Sequence, residues 1–277
     1  MSAATATAAV PAPARGAPFR ASTTARIVTA LLVVYAVYAL AQLDFSWDRF
    51  VAGLGHGARL IGKMFPPDLS KFDVLWKGMV ESMQIAVLAT VLGIAISLPL
   101  GFLGARNLMP GWVTWIARAI VAVCRSLHPV IVAILFVKAV GFGALAGILA
   151  LTVASIGFIG KLFAEAIEEI SAKQVEAVRA TGASFMNVVL FGVLPQVMAR
   201  FVGFATYQLD SNLRNSTMVG IVGAGGIGGT LFSAFQRFDY DFVAAILLSI
   251  IAMIMVGEVL ATWVRKVFLG KGPVEDE

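Results

Sequence analysis

Gly223, Gly225 and Gly228 stand at the spacing G-x-G-x-x-G inside Gly220 to Leu231, "GIVGAGGIGGTL", directly after the β-prone run "TMVGIV". In a dinucleotide-binding loop such glycines bring backbone close to a pyrophosphate at a helix N-terminus. That chemistry needs a βαβ unit and an acidic residue about 20 positions on. Here the downstream element is a long apolar run, and Glu258 near its end lies 30 residues past Gly228. The spacing therefore points to a backbone purpose. Gly223, Gly225, Gly226, Gly228 and Gly229 suit non-helical chain at membrane depth and are expected to form a gate or hinge between the fifth and sixth spans.

Two further clusters put ionisable and hydroxyl groups in or beside apolar runs, where such groups are functional by default. Arg125 and His128 are three apart, as on one helix face, with Ser126 beside them and Pro129 loosening the backbone. Arg214, Asn215, Ser216 and Thr217 precede the glycine run. Both sets are expected along a solute path. Plainer uses exist for each: Arg125 can snorkel, Arg214 can pair with Asp210 four residues earlier, and His128 can serve the backbone. Glu81 and Gln84 suit an outer mouth or an interface, and Asp239 and Asp241 suit the cap of the last helix.

Catalysis finds no support. The sequence has no G-x-x-x-x-G-K-[ST] loop, so no Walker site for ATP is expected. Its histidines are His56 and His128, without metal-ligand spacing, and Cys124 is the single cysteine, so neither a Cys-based metal site nor an internal disulfide is expected.

These residues must be positioned by apolar helices. The 277 residues are 59% hydrophobic and 13% charged, with mean hydropathy +0.89, against about 25% charged in soluble domains. The apolar residues form long blocks closed by basic or polar breaks, as in a polytopic all-α membrane protein. Roughly six segments suit spans: 27–43, 79–104, 112–140 (broken near Arg125 to Pro129), 144–164, 187–210 and 241–263. Residues 1–26, rich in Ala, Pro and Thr, suit a disordered tail. The run 27–43 resembles a signal peptide at Ala39-Leu40-Ala41, but its long lead-in favours an uncleaved first helix. Residues 44–78 suit an external amphipathic segment, 79–268 a membrane core, and 269–277 a tail. The net charge of +5 comes from scattered Lys and Arg, so nucleic acid is not an expected partner. With the N-terminus inside, inner segments hold eleven Lys and Arg and outer ones eight, a modest lean to that orientation.

The most polar inner stretch is Gly160 to Phe201. Lys161 and Glu165, then Glu169 and Lys173, are four apart, as on a solvated helix end. Ser171 suits the cap of a short helix, Gly182 its end, and Ser184 the cap of the next. Within it, "EAVRATGASFMNVVLFGVLP" resembles the signature of ABC importer permeases: E-A-A, three residues, Gly, nine residues, I-x-L-P. Glu176, Ala177, Gly182, Leu194 and Pro195 fall on the pattern, whereas Val178 and Gly192 depart from it. "GKLFAEAIEEI", "ARN" at Ala105 to Asn107, "FGVLPQ" and "RNSTMVGIVGAGGIG" narrow the resemblance to phosphonate/phosphate-type permeases over about 72–268.

The resemblance implies a type I ABC importer permease fold in the bacterial inner membrane, with both termini in the cytoplasm. It implies a homodimer, two cytoplasmic ATPase subunits that carry ATP and Mg, and an extracytoplasmic solute-binding protein. No cofactor is expected in this chain itself. Residues 171–186 would be a coupling helix, with Glu176, Ala177 and Gly182 against the ATPase. The solute would be phosphonate, phosphate or phosphite. Methionine or another small solute is the near alternative, and an ATPase-independent secondary transporter the distant one.

Overall fold

A computed structural model of the chain describes residues 23–43 and 46–269. The bulk of the expected N-terminal tail (1–22) and nearly all of the C-terminal tail (270–277) lie outside the described residues. Among the described residues every regular element is helical. The chain divides into two units, residues 1–59 and 60–277.

The first unit carries α1 (Thr23–Gln42), which begins four residues before the expected span, and most of α2 (Trp47–Lys63). Neither helix buries a residue. For α1 that follows from its uniformly apolar surface, which needs lipid around it rather than a core. In α2, Trp47, Phe50, Val51, Leu54 and Ile61 recur at helical spacing opposite Arg49, His56, Arg59 and Lys63. This is the pattern of a helix lying in a membrane interface.

The second unit is built from α3 (Phe72–Gly104), α4 (Gly111–Ser126), α5 (Pro129–Val140), α6 (Ala144–Glu168), α7 (Ala172–Ala180), α8 (Phe185–Asn187), α9 (Leu194–Ile221), α10 (Ile227–Gln236) and α11 (Tyr240–Leu269). Helices α1, α3, α6 and α11, and the run 185–221, are each long and apolar enough to cross a bilayer. Helices α4 and α5 meet at 90° and make a sixth span if counted together. The break between Ser126 and Pro129 falls where the sequence placed it, because Pro129 starts a helix well and cannot continue one.

Helix α3 packs along α6 at the centre, and α9 closes on both. Apolar attraction between helices is weak in lipid, so close approach by small residues does the work. A Cβ on Gly93 would lie 2.3 Å from that of Ser155, and one on Gly101 would lie 2.6 Å from the Phe163 ring. Large apolar side chains such as Val91, Ile96, Trp112, Trp115 and Val259 face outward instead.

Between α3, α6 and α9 lies a buried polar knot that apolar periodicity does not reveal. Asn212 Nδ2 donates to Thr90 Oγ1 and to Ser155 Oγ, both at 2.9 Å. Gln208 Nε2 donates to Ser155 Oγ at 3.0 Å and to Asn212 Oδ1 at 3.1 Å. Thr90 and Ser155 pass their own protons to the carbonyls of Ala86 and Leu151. Buried polar groups are tolerated when every donor is placed.

Candidate functional site

The signature residues form a short helix held against the ends of the spans. Ser171 has cap-like dihedrals but makes no side-chain cap bond. Its backbone N–H donates instead to Gln196 Oε1 at 3.0 Å, which ties the start of α7 to α9. Within α7, Val175 is buried against Phe163, Ile167 and Val193, while Glu176 and Ala177 are exposed. Gly182, at φ +78°, donates to the Arg179 carbonyl and ends the helix. Ser184 begins the next helix with its carbonyl, without a side-chain cap.

Residues 188–193 then form one π-helical stretch, in which Leu194 N–H reaches back five residues to the Val189 carbonyl. Pro195 explains it: proline has no N–H for the Phe191 carbonyl, and its ring needs the wider turn. Leu194 is half-buried and Pro195 exposed, in the first turn of α9.

A clamp beside α7 was not foreseen from sequence. Glu168 Oε1, at the end of α6, accepts from Arg106 N–H at 2.8 Å and from Arg118 Nη2 at 2.7 Å. Arg118 Nε also donates to the Gly104 carbonyl at 2.9 Å, and Asn107 Nδ2 to the Ile167 carbonyl at 2.8 Å. The "ARN" residues thus lock the α3–α4 connection to the last turn of α6, next to the island. Glu169 does not pair with Lys173 as the spacing suggested; it takes Arg200 of α9 at 2.5 Å. The Lys161–Glu165 pair does form, at 3.4 Å.

The expected path residues are not one lining. The 90° bend separates Arg125, in the last turn of α4, from His128 at the start of α5, so they share no helix face. His128 Nδ1 accepts from Val130 N–H at 3.3 Å, a cap rather than a ligand geometry, and Ser126 Oγ donates to the Val123 carbonyl. Arg125 is exposed and, among the described residues, has no hydrogen-bond or ion-pair partner. Residues 214–217 are consecutive on a helix and therefore point about 100° apart. Arg214 is exposed and bonded to Asp210. Asn215 lies 3.4 Å from Ser211 Oγ, Ser216 is buried with its hydroxyl on the Leu213 carbonyl, and the buried Thr217 hydroxyl has no partner among the described residues.

"TMVGIV" is not a strand: α9 runs through it to Ile221. The glycines that follow are irregular chain buried in protein. Gly223, Gly225 and Gly226 have φ between +80° and +89°. Gly223 O accepts from Gly143 N–H at 3.0 Å, and Ile227 N–H donates to Ser82 Oγ at 2.9 Å, so the loop is fastened to the start of α6 and to the third turn of α3. A Cβ on Gly225 would lie 2.8 Å from Glu81 Oε1, which places that carboxylate against the loop while Gln84 faces outward.

At the same end, Lys71 Nζ meets Asp239 Oδ2 at 2.7 Å and sits 4.6 Å above the Phe242 ring. The Lys71 ammonium holds the Asp239 carboxyl below its ordinary value, and the Ser70 hydroxyl and N–H do the same for Asp68. Asp239 precedes α11 and its carbonyl accepts from Val243 N–H, so it holds the cap position, whereas Asp241 lies inside the first turn with Oδ1 accepting from Phe242 N–H at 2.9 Å.

Among known proteins, residues 97–269 match the family described as binding-protein-dependent transport system inner membrane component. The chain is 40% identical over 238 residues to the phosphite transport system permease protein PtxC of Stutzerimonas stutzeri, covering 86% of each chain. It is 36% identical over 255 residues to the phosphate-import permease protein PhnE of Mycolicibacterium smegmatis, covering 91% of this chain and 48% of that longer one. Among solved structures, an inward-facing form of the MetNI methionine ABC transporter superposes with TM-score 0.65 at 25% identity, over 72% of this chain and 98% of that one.

Proposed function

The chain belongs to the binding-protein-dependent transport system inner membrane components, and from that premise we propose that this ABC importer permease moves a phosphorus oxyanion (phosphite, phosphate or a phosphonate) into the cytoplasm. Its higher identity to phosphite and phosphate permeases supports that solute class over methionine. ATP and Mg are bound and used by two partner ATPase subunits, a binding protein delivers the solute from outside, and a second copy of the chain completes the path. The N- and C-termini face the cytoplasm, as does α7.

The observation that carries the reading is α7 itself. It is a nine-residue helix with Val175 buried and Glu176, Ala177 and Gly182 outward, anchored on one side by Gln196 and bordered by the Glu168 clamp. A push on it from an ATPase passes to α6 and α9 without a flexible link. Leu194 and Pro195 set the angle at which α9 leaves the island. At the other end, the loop from Gly223 to Gly228 is the gate or hinge, and Arg125 and Arg214 are the cations that lower the barrier to an anion.

Proteoliposomes holding the chain, its ATPase and its binding protein test this. ATP-driven uptake of phosphite, phosphate or methylphosphonate, with methionine left outside, is the expected result. Uptake by the chain alone, without an ATPase, overturns it.

A further inference from the structure

Helices α3, α4 and α6 line an open-sided cavity of about 190 Å³ that holds Arg118, Arg125, Lys161 and Glu165 over an apolar wall including Leu100, Val121 and Ala164. Two of its three cations are already balanced. Arg118 is bonded to Glu168 at 2.7 Å, and Lys161 lies 3.4 Å from Glu165. Among the described residues Arg125 alone of the three has no carboxylate partner. It packs against Gly157, near the middle of the α6 span (Ala144–Glu168), and so lies within the depth of a bilayer core. Gly157 of α6 fixes it there, since a Cβ at that glycine would come within 3.0 Å of the Arg125 backbone nitrogen.

The carbonyls at the end of α4 offset part of this charge, but they leave the guanidinium fork without an acceptor. A planar fork with free donors, in a site of surplus positive potential, matches a tetrahedral oxyanion bidentately. We propose that this cavity binds a phosphorus oxyanion group, carried either by a free anion or by the head of an anionic phospholipid. The free-anion form rests on the transport reading above; the phospholipid form does not.

The full-length chain in neutral phosphatidylcholine nanodiscs is compared with Arg125→Gln and Arg125→Lys, first by equilibrium dialysis with labelled phosphate. Each protein is also purified from membranes and its retained phosphatidylglycerol counted. Arg125→Gln is expected to weaken one of these at least tenfold, with a smaller loss for Arg125→Lys, which keeps the charge and loses the fork. Lys161→Gln, which leaves Glu165 unbalanced, is expected to weaken the same arm several-fold. A response in the phosphate arm assigns the site to the solute, and one in the phosphatidylglycerol arm assigns it to lipid. Arg125→Gln equal to wild type in both arms overturns the proposal, as would occur if Arg125 paired with another protein chain. Wild-type proteoliposomes that import no phosphorus anion, while Arg125→Gln still loses phosphate binding, would sink the transport reading and leave the site standing.

Discussion

A Cβ built on Gly228 would sit 1.9 Å from the Thr217 carbonyl oxygen, and one on Gly225 would sit 2.7 Å from Ala144 N at a φ of +81°. The first is a steric limit on how α10 meets α9; the second adds a backbone conformation that costs an L-residue about 1–2 kcal/mol. Gly228→Ala is therefore expected to destabilise by about 1–3 kcal/mol, seen as a lower thermal midpoint in detergent, and to reduce uptake. An unchanged midpoint would mean that α10 is free to shift. Asp239 gives a pH signature at the same end. Its folded carboxyl titrates below the ordinary aspartate value because Lys71 bonds to it. The contact's stability is therefore fully present above about pH 4 and lost as pH falls through the lower folded value. Asp239→Asn is expected to leave a midpoint less sensitive to acid than wild type below pH 4, and a parallel loss in both proteins would refute the assignment. The spacing showed that these glycines are not a cofactor loop. It did not show which one is held by sterics and which by φ, because that depends on Thr217 and Ala144 rather than on the run itself.

At the scale of elements, the island shows what sequence pattern resolves and what it leaves out. The short helix and its end at Gly182 follow from local sequence, and the structure keeps them; that Glu176 and Ala177 face outward was implied only by the resemblance, and both are exposed. The partners of Glu168 and Glu169 do not, since i,i+4 spacing offered Lys173 to Glu169 and the fold supplies Arg200, 31 residues on. Glu168 meets Arg118 from 50 residues away, a pairing set by how α4 lies on α6. Glu168→Gln is expected to cost about 1–3 kcal/mol and to speed amide hydrogen exchange at residues 105–109 and 169–180. Unchanged exchange there would show the clamp to be ornamental. Glu176→Lys, on the exposed face, is expected to leave the thermal midpoint within about 0.5 kcal/mol-equivalent of wild type while lowering ATP-driven uptake at least tenfold. Full uptake in that variant would remove α7 as the ATPase contact.

Across the whole molecule, hydropathy alone gave the order of the spans and the break between Arg125 and Pro129, because lipid forces backbone bonds to close within each helix. The Thr90–Ser155–Gln208–Asn212 knot stayed hidden, since its members are single polar residues scattered over 123 positions of otherwise apolar sequence. The same break bears on how the chain enters the bilayer. Helix α4 has 16 residues and α5 has 12, so alone they reach about 24 and 18 Å, short of the hydrocarbon thickness of about 30 Å. A ribosome that has released residues through Val140 has delivered two helices that meet at 90°, neither of which crosses alone. Helix α4 already has α3 to lie on, but α5 gains its main partner, and α4 its second, only when α6 emerges. Biogenesis of this protein is thus expected to include a waiting step, in which residues 111–140 stay beside the insertion machinery until about 30 more residues are synthesised.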